Sequence, residues 1–72
     1  MEIYHLIKVF LIEKKLKQKE VAEKMNMHPT LFNNYLNGRF NLSEKYLKKI
    51  CRALKIDFNV FLKGEIKELG DQ

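Results

Sequence analysis

Apolar side chains recur along this chain at three- and four-residue steps, in five short stripes separated by polar turns. Over residues 2–14 the stripe is Ile3, Leu6, Ile7, Phe10 and Leu11, and Glu2, Lys8, Glu13 and Lys14 occupy the remaining positions. That spacing predicts an amphipathic helix. A helix lying on a membrane surface carries a similar stripe, but four more stripes in so short a chain favour packing into a shared core. Lys15-Leu16-Lys17 then interrupts the period without Gly or Pro, and Leu16 is expected to turn inward while the lysines stay in water.

Residues 18–37 divide into two helices with a sharp bend between them. The second predicted helix covers 18–25, with Val21 and Met25 facing the core and Ala22 small enough for the next helix to approach closely. Asn26 closes it, because Asn tolerates the left-handed conformation such a turn requires. His28-Pro29-Thr30 opens the third helix. Proline suits the first helical position, where its φ is preset and its missing N–H would have no helical partner. That helix runs to residue 37, and Gly38 supplies the positive φ that stops it. Val21, Ala22, Met25, Met27, Phe32 and Tyr35 are the inward set of two helices that cross steeply, which is a helix-turn-helix pattern.

Residues 39–42 read as a loop, and Ser43 as the N-cap of a fourth helix. Glu44 suits the helix dipole in its first turn, and Leu47, Ile50, Cys51 and Leu54 form its buried stripe. Asp57 caps a short apolar segment, 58–62, that ends at Gly64. The expected architecture is therefore all-α, with five helices in one domain over 1–64 and a polar tail over 65–72 that adds at most a frayed turn.

Length makes the core small. A fold of 72 residues buries only about 60% of the surface its unfolded chain exposes, and a core of this size supplies roughly 3–5 kcal/mol. With the single Cys51 no intrachain disulfide can form, so a partner subunit would add useful stability. The net charge of +5, from 14 basic and 9 acidic residues, favours an anionic partner, for which nucleic acid is the usual candidate. A solvated lysine-rich surface explains the same charge, so the charge alone does not decide. The chain starts Met1-Glu2 without a basic region, and its longest apolar run, 9–12, is far too short to cross a bilayer. A cytoplasmic location, with no membrane association, is expected, and one free cysteine agrees with a reducing compartment.

Chemistry-bearing clusters are missing from the sequence. His5, His28 and Cys51 are the only soft ligand candidates and lack paired spacing, so no metal is expected. There is no glycine-rich phosphate loop, no serine nucleophile motif and no carboxylate pair in an apolar setting. Glu13, Glu20, Glu23, Glu44, Glu65 and Glu68 all fall on polar faces. Neither a cofactor nor an enzymatic activity is expected.

Leu16 and Gln18 before the second helix, Val21-Ala22, Met27, Phe32, Tyr35, Gly38, Ser43, Leu47, Ile50, Ala53-Leu54, Ile56 and Phe61-Leu62 together resemble the lambda-repressor-like, Cro- and Xre-related DNA-binding family. The resemblance spans residues 7–62. It implies that the third helix lies in the DNA major groove while the start of the second helix and the loop after the third hold phosphates. By that resemblance Pro29, Thr30, Asn33 and Asn34 face the bases, and Asn is suited to a bidentate pair with adenine N6 and N7. Pro29 departs from the usual polar residue and offers only an apolar contact, such as packing on a thymine methyl. Gln18, His28, Asn37, Arg39 and Asn41 match backbone-contacting positions, with Arg39 acting alike on all sequences. Without the resemblance, each of these polar residues would read simply as part of a solvated face. Phe40 covers the core edge or brushes a sugar, and the first is preferred.

Two further departures carry expectations. Many members pair an arginine late in the first helix with a glutamate at the end of the third, but here those places hold Leu11 and Leu36. An ion pair replaced on both sides by apolar groups of suitable shape can be neutral or stabilising, so Leu11 and Leu36 are expected to pack together. Val60 stands where an exposed polar residue is usual. With Phe58 nearby, it implies a symmetric homodimer on a palindromic operator. The expected function is a sequence-specific regulator of transcription that binds double-stranded DNA, most simply a repressor. The competing reading keeps the fold but turns it into a protein-interaction module, antitoxin-like or anti-repressor in kind, with a protein partner. Pro29, Leu31 and Leu36 favour it.

Overall fold

The computed structural model describes residues 2–70. Among these residues there are five helices: α1 (Ile3–Glu13), α2 (Gln18–Lys24), α3 (Pro29–Leu36), α4 (Glu44–Leu54) and α5 (Phe58–Phe61). Each one ends in the same way. A left-handed residue follows the helix, at Lys15, Asn26, Gly38, Lys55 and Gly64, and the next amide folds back onto a carbonyl five residues earlier. The five closing bonds are Leu16 N to Leu11 O at 2.9 Å, Met27 N to Ala22 O at 2.9 Å, Arg39 N to Asn34 O at 3.0 Å, Ile56 N to Cys51 O at 3.0 Å and Glu65 N to Val60 O at 3.4 Å. These are Schellman closures, which satisfy carbonyls that a helix end leaves without partners. The closures at Asn26, Gly38 and Gly64 fall at residues that accept positive φ readily, whereas those at Lys15 and Lys55 do not.

The helix starts follow from side-chain chemistry. His28 Nδ1 accepts the Thr30 amide at 3.1 Å, with Pro29 at the first helical position of α3. Ser43 Oγ accepts the Tyr46 amide at 3.4 Å, and Asp57 Oδ1 accepts the Val60 amide at 2.9 Å. By contrast, the N-cap residues of α1 and α2, Glu2 and Lys17, supply no side-chain cap. Each of the three capping side chains supplies an acceptor to an orphan amide, worth about 1 kcal/mol for Ser or Asp.

The core is apolar throughout, and no polar or charged residue is buried among the described residues. Its largest fully buried side chains are Phe32, Phe61, Ile7, Leu36, Ile50 and Cys51. All six inward positions of the helix-turn-helix, Val21, Ala22, Met25, Met27, Phe32 and Tyr35, are buried, as the periodicity predicts. α3 packs on both α2 and α1, and α4 packs on α2 and α5. Leu11 and Leu36, only 2% and 0% exposed, lie in the same core where α1 meets α3, so both positions are apolar and buried.

Two expectations fail for identifiable reasons. Leu16 does not turn inward but stays 37% exposed. The left-handed turn at Lys15 uses the Leu16 backbone to close α1, which leaves the side chain outside. Nor is the chain after Gly64 a frayed turn: it runs back along the α4–α5 connection. Asp57 N donates to Lys67 O and Leu69 N to Lys55 O, both at 2.8 Å, and Ile56 and Glu68 form an antiparallel bridge. Ile66 packs against the core, and Glu68 pairs with Lys14 at 3.0 Å. No helix among the described residues is long and apolar enough to cross a membrane.

Candidate nucleic-acid interface

One side of α3 is sealed by Phe32, Tyr35 and Leu36, so its polar residues have only the other side available. There, side chains from three helices meet in a single hydrogen-bonded line. Lys8 Nζ of α1 donates to Asn37 Oδ1 at 3.2 Å. Asn37 Nδ2 donates to Asn33 Oδ1 at 2.9 Å, and Asn33 Nδ2 donates to Gln18 Oε1, at the first position of α2, at 3.1 Å. Asn33 and Asn37 can meet because they are four residues apart on one helical face. The line remains open to solvent along its length.

Asn34 belongs to a second pair. Arg39 Nη1 donates to Asn34 Oδ1 at 3.0 Å, across the Gly38 turn. A Cβ at residue 38 would lie 2.9 Å from Tyr4 Cζ, so the Tyr4 ring would have to shift, and φ is +73°, a conformation that favours glycine. Gly38 therefore lets the loop lie against α1 and brings Arg39 over the end of α3. Thr30 is exposed at the start of α3, next to the half-buried Pro29. His28 is exposed and turns Nδ1 toward the helix. Asn41 is exposed and lines a shallow cleft with Tyr4, Gly38 and Phe40. Phe40 is 49% exposed, and its ring meets Tyr35 edge-on with centroids 5.7 Å apart, so it covers the core edge from outside.

Lys8 carries no local signal of this role. Its place on the polar side of α1 was visible, but only the packing of α1 on α3 brings it to Asn37. Of the apolar residues that favoured a protein-interaction module, Leu36 is fully buried and Leu31 packs against the core. Phe58 is partly buried against the core beneath Lys48, whose Nζ sits 5.5 Å from the ring centroid, and Val60 beside it is half-buried. Phe61 closes the core of the single chain at 0% exposure.

The shifted ionisable groups lie away from this surface. Burial, and then the charge of Asp57, pushes the Cys51 thiol up to about 11. Loss of solvent, followed by the neighbouring Tyr46, raises the Tyr35 phenol. No cluster of three or more His, Cys, Asp or Glu gathers among the described residues.

Two short helices, the first closed at Asn26 and the second at Gly38, with an apolar crossing beneath them and a polar outer face, define a helix-turn-helix domain. The helix-turn-helix family matches residues 7–61, and the chain belongs to that family in its Cro- and C1-type form. It is accordingly a DNA-binding regulator of transcription. The chain is 39% identical over 62 residues to the ImmF control region 10 kDa protein of Bacillus phage phi105, a match that covers 86% of this chain and 69% of that protein. It is 46% identical over 44 residues to Multiprotein-bridging factor 1 of Candida albicans, covering 61% of this chain and 29% of that one. The same factor of Candida glabrata is 43% identical over 44 residues, with the same coverage. The matched region is thus well under half of either bridging factor. No solved structure matches the chain.

Proposed function

We propose that the protein is a repressor that acts by occupying an operator and reads double-stranded DNA in the major groove with α3. The observation that carries this reading is the single polar face formed by Gln18, Asn33, Asn37 and Lys8, with Asn34 and Arg39 beside it, on a helix whose other side is sealed in the core. In this reading Thr30, Asn33 and Asn34 meet base edges and Pro29 packs on a thymine methyl. Asn34 is the principal reader. Its Oδ1 accepts from Arg39 with one lone pair, which leaves the other lone pair and the Nδ2 protons for adenine N6 and N7. Asn33 is already engaged at both ends, so it contributes less discrimination. Gln18, His28, Asn37, Arg39 and Asn41 contact phosphates and set the register of the helix.

A two-fold homodimer through Phe58 and Val60 completes the reading. Leu62, 49% exposed after α5, extends that apolar edge. Such a dimer would place two recognition helices about one DNA turn apart, roughly 34 Å, on a palindromic operator. The ImmF protein, named for a phage control region, supports a regulatory role of this kind.

Selection of bound sequences from a random duplex library tests the reading. A reproducible palindromic motif is expected, with affinity falling as salt rises at a log–log slope near −7 if each subunit neutralises about four phosphates. Failure to enrich any motif, together with a nearly flat salt dependence, would instead favour the protein-interaction module.

A further inference from the structure

The line of amides across the interface has a direction, and one residue sets it. Asn and Gln side chains carry a donor and an acceptor and can be turned either way, so a chain of them has two senses of nearly equal merit. Lysine has three donors and no acceptor. Because Lys8 Nζ stands 3.2 Å from Asn37, that amide must present its oxygen to the ammonium. Asn37 Nδ2 is then committed to Asn33 Oδ1 at 2.9 Å, and Asn33 Nδ2 to Gln18 Oε1 at 3.1 Å. At the far end Gln18 must turn its Nε2 outward, and that group has no partner among the described residues.

We infer that Lys8 is a positioning residue of the DNA interface: through Asn37 and Asn33 it polarises the line so that Gln18 offers a donor, not an acceptor, to a phosphate oxygen. This rests on the reading of Gln18 as a phosphate contact. The physical gain is preorganisation. A phosphate oxygen only accepts, so an outward Oε1 at Gln18 would be repelled, and an amide free to turn would have to be ordered on binding. Charge-assisted hydrogen bonds reward the correct sense more than neutral ones do. Lys8 acts on Gln18 through two intervening side chains and needs no contact with the DNA itself. Its remaining Nζ protons stay available to solvent or to a phosphate.

The test separates this relay from a plain positive charge. Lys8→Met keeps much of the apolar stem but removes the donor, and Lys8→Arg keeps a head that only donates. In the free protein, the side-chain amide resonances of Gln18, Asn33 and Asn37 are recorded by NMR, with the backbone spectrum reporting that the fold is intact. Lys8→Met is expected to shift the Gln18 side-chain amide, although the two residues do not touch, and Lys8→Arg to restore it. Unchanged Gln18 resonances in Lys8→Met would overturn the relay, whether or not the protein binds DNA. On a selected duplex, Lys8→Met and Gln18→Ala should each weaken binding about tenfold, the value of one charge-assisted hydrogen bond. The double variant should fall well short of the roughly hundredfold loss that independent contacts would give. Losses that multiply fully would make Lys8 an ordinary cation and sink the proposal. A protein that selects no duplex would refute the DNA reading, while the amide resonances would still decide the relay.

Discussion

Arg39 grips Asn34 at two points, with its backbone amide 3.0 Å from the Asn34 carbonyl and its Nη1 3.0 Å from Asn34 Oδ1. The first bond closes α3, and the second fixes which way the Asn34 amide faces. An arginine assigned from sequence to act alike on all DNA is therefore also tied to the proposed base reader. Arg39→Ala should weaken every duplex through lost charge and should also relax discrimination at the base pair read by Asn34. Competition binding with substituted duplexes checks this, and a purely uniform loss would leave Arg39 as a phosphate contact only.

The helix ends make a paired stability prediction. At Lys15, φ is +57°, a conformation that costs an L residue roughly 1–2 kcal/mol, against about 0.5–1 kcal/mol for the extra freedom glycine has when unfolded. Lys15→Gly should therefore stabilise the protein by about 0.5–1 kcal/mol in urea denaturation. Gly38→Ala should go the other way, by roughly 1–2 kcal/mol or more, because the added Cβ meets Tyr4 Cζ at 2.9 Å as well as the strained φ.

Leu11 and Leu36 allow a charge-swap test. Leu36→Glu alone would strand a carboxylate where the native side chain is 0% exposed, at a cost on the order of 3–5 kcal/mol. Adding Leu11→Arg should recover a good part of that loss by giving the buried carboxylate an opposite charge across the α1–α3 contact. If the double variant were no more stable than Leu36→Glu, the expected packing of Leu11 against Leu36 would fail.

Cys51 gives the protein an alkaline weakness. Its thiol is raised from an ordinary 9.0 to about 11 in the folded chain, so the folded state keeps a proton that the unfolded state releases. The stabilisation is complete below about pH 9 and is lost as pH rises through about 11. Cys51→Ala should flatten that part of the stability profile relative to the parent. In the native protein the thiol should react with a thiol reagent at neutral pH only as fast as the chain opens.

How much of this was legible in the sequence depended on the kind of signal. Val21, Ala22, Met25, Met27, Phe32 and Tyr35 could be placed because helical periodicity and a tight crossing leave few other arrangements, and Asn26 and Gly38 marked the turns by their backbone tolerance. Lys15 and Lys55 close helices in the same left-handed conformation, yet nothing in a lysine announces it, and so the pattern alone points Leu16 inward when it is exposed. Residues 65–69 read as a polar tail because their backbone pairing with 55–57 and the docking of Ile66 leave little trace in composition. At the interface, the family resemblance singles out Gln18, Asn33, Asn34, Asn37 and Arg39 one by one, but their pairing, and the arrival of Lys8 beside them, depend on tertiary packing and a turn, which a linear pattern does not contain.

The most direct test of α3 as the reading element is to measure Asn34→Ala and the parent against the selected duplex and every single-base-pair variant of it. The expected result is a loss on the order of 1–3 kcal/mol on the preferred site, with discrimination vanishing at one base pair per half-site and kept elsewhere. Equal weakening on all duplexes, or no change on any, would contradict it.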